Sequence, residues 1–140
     1  WIMRSGFVAF GAAVLAASLV RLAASPWVFG PLAVFAAAMV AAAFWSHLPI
    51  APLSGGSRAE DDLHSIAASV MGTAFTLSCG AQLWMSRSSG VDWLSGTGVL
   101  ASIGIPLIMF VAPDVAGAVQ RLMFLISFVW IFRAFGSAPR

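Results

Sequence analysis

The sequence contains no lysine and no tyrosine, a single cysteine, and few charged residues, which make up 9% of its 140 positions. The lone cysteine, Cys79, excludes an intrachain disulfide and any zinc or iron–sulfur site built from several cysteines. Basic charge comes from seven arginines spread along the chain, and the formal net charge is +2. Because a nucleic-acid-binding surface needs clustered basic residues, we expect no nucleic-acid partner.

Apolar residues are what the chain has in abundance. They make up 61% of the sequence, and the mean hydropathy is +0.97. Soluble globular domains carry roughly 45–50% apolar and about 25% charged residues. The composition therefore predicts an integral membrane protein, and we expect its partners to include the surrounding membrane lipids.

Five apolar segments are long enough to cross a hydrocarbon core of about 30 Å. They lie near residues 4–22, 27–45, 63–85, 91–111 and 115–135, and a polar outer loop, residues 46–62, joins the second to the third. The segments are apolar on every side and about twice as long as a membrane strand, so we expect helices. The sequence predicts an all-α polytopic helix bundle of five spans that forms one transmembrane domain, residues 1–140.

Small residues recur at every fourth position of the third span, at Ala68, Gly72, Thr76 and Gly80. Such a stripe lets two helix backbones approach closely in lipid, so we expect helix packing along it. The alternative is that alanine and glycine recur there only because they are common in this chain.

The distribution of arginines gives an orientation for the bundle. The side that carries the outer loop holds Arg4, Arg58 and Arg121, and the opposite side holds Arg21, Arg87, Arg133 and Arg140. Since cytoplasmic loops carry the excess of basic residues, we expect the C-terminus to be cytoplasmic.

The polar outer loop and the residues after it carry the first candidate site. His47, Asp61 and His64 are suitable ligands for zinc or another divalent metal, and Asp62 is a candidate catalytic base beside them. A structural alternative stays open, in which Ser57 caps a helix and the acidic residues complement its dipole. Paired histidines also allow a haem, which we disfavour because both histidines lie at span ends and the span interiors contain none.

A second candidate lies at the turn before the fifth span. Arg121 is placed to form an ion pair with Asp114 across that turn or to bind an anionic headgroup. The spans contain no central acid or lysine, which argues against a pump or an ion-coupled transporter.

Four short motifs resemble an uncharacterised prokaryotic membrane family, domain of unknown function 998. They are the opening Trp1-Ile2-Met3, His64 followed by Ala67-Ala68, the run from Gly117 through Gln120-Arg121 to Leu122, and Trp130 in the last span. The resemblance implies a six-helix plan with one further helix before Trp1, and a place in the cell membrane of a prokaryote. A departure occurs at His47-Leu48-Pro49-Ile50, where the family often has Phe-Pro-x-Asp, which weakens a ligand role for His47.

Two functions follow from these features. The first, which we favour, is a small non-catalytic membrane protein that binds lipid, pigment or a partner subunit, including a second copy of itself, through apolar helix faces. The alternative is a metal-assisted hydrolase or headgroup-modifying enzyme at the outer rim. The sequence favours no particular cofactor, and a divalent metal, lipid or pigment would each suit one of these functions.

Overall fold

The computed structural model describes residues 2–45, 57–90 and 92–136 of the chain. Five helices make up nearly all of this part: α1 at Ile2–Arg21, α2 at Pro26–Ala42, α3 at Arg58–Ser86, α4 at Trp93–Val111 and α5 at Ala116–Gly136. A short 3-10 turn at Pro113–Val115 leads into α5. The predicted all-α helix bundle is confirmed.

The third helix begins earlier than the hydropathy pattern indicated. It starts at Arg58, so the acidic residues predicted to close the outer loop form its first turns instead. Ser57 occupies the N-cap position as predicted, although its side chain makes no capping hydrogen bond. At 29 residues, α3 is about 44 Å long, which exceeds a hydrocarbon core of about 30 Å. We therefore expect its polar first turns to extend into the headgroup region.

Successive helices run antiparallel, so the bundle has two distinct ends. Phe7 and Phe10 of α1 pack on Phe124 and Phe128 of α5, with ring centroids 5.5 and 4.6 Å apart, so α1 and α5 are parallel. We call the end with the starts of α1, α3 and α5 the His64 end. The other end, with the start of α4, is the Asp92 end.

The core lies where α2 meets the later helices. The ring of Phe75 in α3 contacts Phe35 of α2 at 5.8 Å and Trp130 of α5 at 5.4 Å, centroid to centroid. Ser78 of α3 donates a hydrogen bond of 3.0 Å to the carbonyl of Val28 in α2. These contacts place α2, α3 and α5 around one aromatic column.

Two glycines allow the closest helix approaches. A Cβ at Gly98 in α4 would lie 2.6 Å from Cys79 Sγ in α3, and a Cβ at Gly11 in α1 would lie 2.8 Å from a methyl of Val40 in α2. The turn between α3 and α4 contains Gly90, whose φ of 117° is a conformation that favours glycine.

Four of the helices are long and apolar enough to cross a membrane, by length and composition: residues 4–21, 58–86, 93–111 and the stretch 113–136 that includes α5. The fifth, α2, is apolar but has 17 residues. Large apolar side chains such as Val20, Trp93 and Phe110 are exposed on the outer faces of the bundle. The chain is a membrane protein built as a bundle of helices.

Candidate functional site: a cavity between three helices

A cavity of about 640 Å³ lies between α3, α4 and α5. Its wall includes Met71 on α3, Ile105 and Met109 on α4, and Met123 and Phe124 on α5. These positions belong to the half of the bundle nearer the His64 end. The cavity is large enough for a ligand because pockets that hold small molecules measure roughly 300–1,000 Å³.

The hydroxyl groups in the cavity wall are already hydrogen-bonded within their own helices. Thr76 donates to the carbonyl of Gly72 at 2.8 Å, Ser102 to Gly98 at 2.7 Å, and Ser127 to Met123 at 2.8 Å. Such back-bonded hydroxyls require no further partner in an apolar environment. Apart from the exposed Gln120, the wall therefore presents a mostly apolar surface to whatever fills the cavity.

The small-residue stripe of α3 lines this cavity. Ala68, Gly72 and Thr76 form part of its wall, and Gly80 lies one turn beyond it. A Cβ added at Gly72 or Gly80 would meet no atom within 4 Å of the described chain. Within a single chain the stripe thus creates space. The close approach of α3 to another helix occurs instead where Cys79 meets Gly98 of α4. Packing of the stripe against another molecule stays a prediction.

The predicted metal and catalytic residues lie at the start of α3. Asp62 is exposed, Asp61 is half-buried, and His64 Nδ1 lies 3.3 Å from the carbonyl oxygen of Ala42 at the end of α2. When Nδ1 carries the proton, His64 donates to this helix-terminal carbonyl. His47 lies outside the described residues. Within the described ranges no group of three or more His, Cys, Asp or Glu side chains is placed to hold a metal, so the metal site stays a prediction that includes His47.

Arg121 and Asp114 are both exposed at the His64 end. Within residues 57–90 and 92–136 the structure contains no ion pair between them. The headgroup-binding role predicted for Arg121 is compatible with this exposure and stays a prediction.

A buried polar cluster lies at the Asp92 end, where the sequence indicated no site. Asp92 is the N-cap of α4, and its carboxylate accepts hydrogen bonds from the backbone N–H of Ser95 at 3.2 Å and from Ser95 Oγ at 2.8 Å. Trp130 Nε1 of α5 donates to the same Ser95 Oγ at 2.8 Å. Arg133 forms an ion pair of 2.5 Å with Asp92, whose side chain is only 3% exposed. The four residues join α4 to α5.

The charge state of Asp92 follows from these contacts. Burial of its carboxyl favours the neutral form, but the hydrogen bonds from Ser95 and from Arg133 outweigh burial and hold the pKa of Asp92 below its usual value. The carboxylate is therefore ionised at neutral pH and paired with the half-exposed guanidinium.

Two signals in the sequence point to this cluster in retrospect. Asp92 precedes Ser95 by three positions at a span start, which is a capping pattern. Trp130 and Arg133 are three apart, and residues at this spacing share a helix face. Neither signal tells which helix the two faces contact, so the pairing itself required the structure.

Comparison with known proteins gives a family and no established activity. The sequence pattern of the family described as "Protein of unknown function (DUF998)" matches residues 1–135. This match confirms the family predicted from the four motifs. No curated protein matches the chain, and no solved structure does.

Proposed function

We propose that this chain, which belongs to the DUF998 family of proteins of unknown function, is a lipid-binding membrane protein that holds a hydrocarbon chain in the cavity between α3, α4 and α5. The observation that carries the proposal is the cavity itself, which is about 640 Å³ in volume and has an apolar wall. Thr73, Leu77 and Ile103 at its rim are exposed near the middle of their spans, so the cavity opens sideways towards the lipid.

The chemistry of the wall favours a hydrocarbon chain over a polar ligand. Recognition of a polar ligand needs donors or acceptors that converge on it, and the hydroxyls of Thr76, Ser102 and Ser127 instead bond their own helices. Three methionines, Met71, Met109 and Met123, line the space, and their unbranched side chains adapt to flexible ligands.

The surroundings of the cavity also favour lipid. An apolar cavity of this kind excludes water, and lipid chains are the apolar molecules available within a bilayer. A chain inside the cavity contacts three helices at once. It therefore exchanges more slowly than a chain on the outer surface of the bundle.

The proposal is tested by filling the cavity. Gly72→Leu places a side chain into open space on the cavity wall, and Gly80→Leu, one turn beyond the cavity on the same helix, is the matched control. We expect native mass spectrometry of the purified unmodified protein and of Gly80→Leu to show retained lipid. Gly72→Leu should retain at least about tenfold less, a difference of about 1.4 kcal/mol in binding.

Thermal unfolding in detergent checks that Gly72→Leu still folds. Equal lipid retention in a folded Gly72→Leu protein and in the unmodified protein would contradict the proposal. An unmodified protein that keeps no lipid through detergent exchange would contradict it as well.

The arginine distribution supports a place in the cell membrane with the C-terminus in the cytoplasm. A fluorescent protein fused after Arg140 should then fold and fluoresce, whereas a periplasmic alkaline phosphatase fused there should be inactive. The reverse pattern would place the His64 end in the cytoplasm.

A further inference from the structure

A second, shallower groove lies between α2 and α3, next to the cavity. It measures about 450 Å³ and is walled by Pro31 and Val34 of α2 and by Val70 and Ala74 of α3. The cavity and the groove share three wall residues, and these are Ser69, Thr73 and Leu77. One row of side chains therefore separates two apolar spaces at the same depth in the bundle.

The shared row forms a low ridge. Ser69, Thr73 and Leu77 follow each other at four-residue intervals, and all three are exposed. Ser69 Oγ donates to the carbonyl of Ser65 and Thr73 Oγ1 to the carbonyl of Ser69, each at 2.9 Å. With their donors satisfied by the helix, the two short hydroxyl side chains can lie against hydrocarbon without an unpaired polar group.

An acidic side chain stands in line with the ridge at the membrane surface. Asp62 precedes Ser69 by seven residues, which is two helical turns, so it lies on the same side of α3. The hydrogen-bonding contact between His64 and the last residue of α2 places this turn at the His64 end of the bundle. Asp62 is exposed there, beyond the apolar part of α3.

We propose that the ridge of Ser69, Thr73 and Leu77 is straddled by one two-chain lipid, with one acyl chain in the cavity, the other in the groove, and an ammonium-bearing headgroup beside Asp62. The proposal rests on the proposed lipid-binding function and specifies its ligand. Two chains fit because the two spaces lie on either side of a single row of side chains. The carboxylate of Asp62 complements an ammonium group and repels a headgroup whose only charge is negative.

The two-chain requirement is tested with the intact protein in detergent. Dioleoyl phosphatidylethanolamine is compared with its single-chain lysophospholipid by native mass spectrometry titration. We expect the two-chain lipid to bind at least about tenfold more tightly. Equal affinities would overturn the proposal.

A substitution in the groove tests whether the groove holds the second acyl chain. Val34 lines only the groove and is 49% exposed, and Val129 on α5, which lines neither space, is 48% exposed. Val34→Trp should weaken the two-chain lipid about tenfold and leave the single-chain lipid within about twofold, whereas Val129→Trp should change neither. If Val34→Trp leaves the affinity for the two-chain lipid unchanged, the groove does not hold a chain.

The headgroup is tested by changing the lipid and the acid together. The unmodified protein should prefer dioleoyl phosphatidylethanolamine over the phosphatidylglycerol with the same chains by about threefold, the scale of one exposed ion pair. Asp62→Asn should abolish this preference, and Asp114→Asn, an exposed acid on the same side, should preserve it. A preference for phosphatidylglycerol, or one that survives Asp62→Asn, would overturn the headgroup assignment.

Failure of this inference can be distinguished from failure of the proposed function. If single-chain and two-chain lipids bind equally and Gly72→Leu removes both, the cavity binds a chain and the straddling arrangement is wrong. If Gly72→Leu removes neither, the cavity is not the lipid site, and both proposals fail.

Discussion

Ser95 links Asp92 at the start of α4 to Trp130 of α5. Its hydroxyl donates to Asp92 and accepts from the indole N–H of Trp130, and it is fully buried. A chain of hydrogen bonds of this kind is stronger than its members taken separately, because each bond polarises the next. We expect the cluster to fix the relative position of the two helices.

Substitutions at Ser95 and Trp130 should therefore be coupled. Trp130→Phe keeps an aromatic ring against Phe75 but removes the donor to Ser95, and Ser95→Ala removes the acceptor. Each single change should lower the free energy of unfolding by about 1 kcal/mol or more. The double variant should lose less than the sum, with a coupling of about 0.5–1 kcal/mol.

Thermal or denaturant unfolding in detergent measures this cycle. The exposed pair Thr97→Ala and Val129→Ala, which lies on the same two helices, serves as an additive control. Strict additivity of Ser95→Ala and Trp130→Phe would show that the hydrogen bond contributes no stability.

Residue identities in the sequence pointed to His64 and its acidic neighbours rather than to Asp92. Histidines and acids adjacent in sequence are visible without a structure, whereas Asp92 and Arg133 are 41 positions apart. From the sequence alone, Arg133 is only one of the charges that orient the bundle. The missing information was the contact between α4 and α5, which local patterns do not contain.

At the scale of elements, α3 determines most of the architecture. It packs along α2, approaches α4 at Gly98, and lines both the cavity and the groove. The two faces of this helix therefore have different roles. The face with Ala67, Phe75 and Ser78 is buried, and the face with Ser69 and Thr73 borders space that a ligand can occupy.

The contact between Gly98 and Cys79 should be sensitive to a single methyl group. Gly98→Ala places a Cβ 2.6 Å from Cys79 Sγ, so α4 must shift away from α3, and we expect a loss of about 1–3 kcal/mol in stability. In Gly98→Ala combined with Cys79→Ala, the nearest remaining atoms are Cys79 Cβ at 3.5 Å and Phe75 Cε1 at 3.6 Å, which are ordinary contacts.

The double variant should thus recover part of the stability that Gly98→Ala loses, as measured by thermal unfolding in detergent. Gly104→Ala on the same helix is the control, because its Cβ would meet nothing within 4 Å. A Gly98→Ala protein as stable as Gly104→Ala would show that the helices do not approach this closely.

The helices themselves were predictable because hydropathy reports burial in lipid. The predicted starts and ends of α1, α2, α4 and α5 lie within three residues of those observed. The start of α3 is not predictable in this way because its first turns are polar, and hydropathy does not register a helix that continues beyond the hydrocarbon. Whether Ala68 and Gly72 face a neighbour or a cavity depends on helix rotation, which composition does not specify.

The whole molecule has two unlike ends. At the Asp92 end, a paired carboxylate and arginine bind two helices together, and Arg21 of α1 donates to the carbonyl of Phe135 at 2.9 Å near the end of α5. At the His64 end, Asp62, Asp114 and Arg121 are exposed. The cavity lies in the half of the bundle nearer the His64 end.

The ion pair between Asp92 and Arg133 should make the stability of the fold depend on pH in acid. The carboxyl of Asp92 has a lower pKa in the folded chain than in the unfolded chain, where an aspartate has a pKa of about 3.9. Its pairing thus stabilises the fold above about pH 4, and this contribution is lost as the pH falls through the folded-state pKa. Asp92→Asn should lower stability at neutral pH and make stability vary less with pH in the acid range.

The measurement is the unfolding temperature of the unmodified protein and of Asp92→Asn between about pH 2 and pH 7. Asp114→Asn, which alters an exposed acid, should keep the unmodified slope. Parallel profiles for the unmodified protein and Asp92→Asn would show that Asp92 does not contribute to the acid dependence.

The enclosure of Cys79 between α3 and α4 has a practical consequence for labelling chemistry. It is the chain's single cysteine and is fully buried, so a membrane-impermeant maleimide has no thiol to reach in the folded protein. A cysteine introduced at an exposed position such as Ser88 or Asp114 would then carry the label alone. The natural sequence is thereby a ready background for mapping, one site at a time, which end of the bundle faces which compartment.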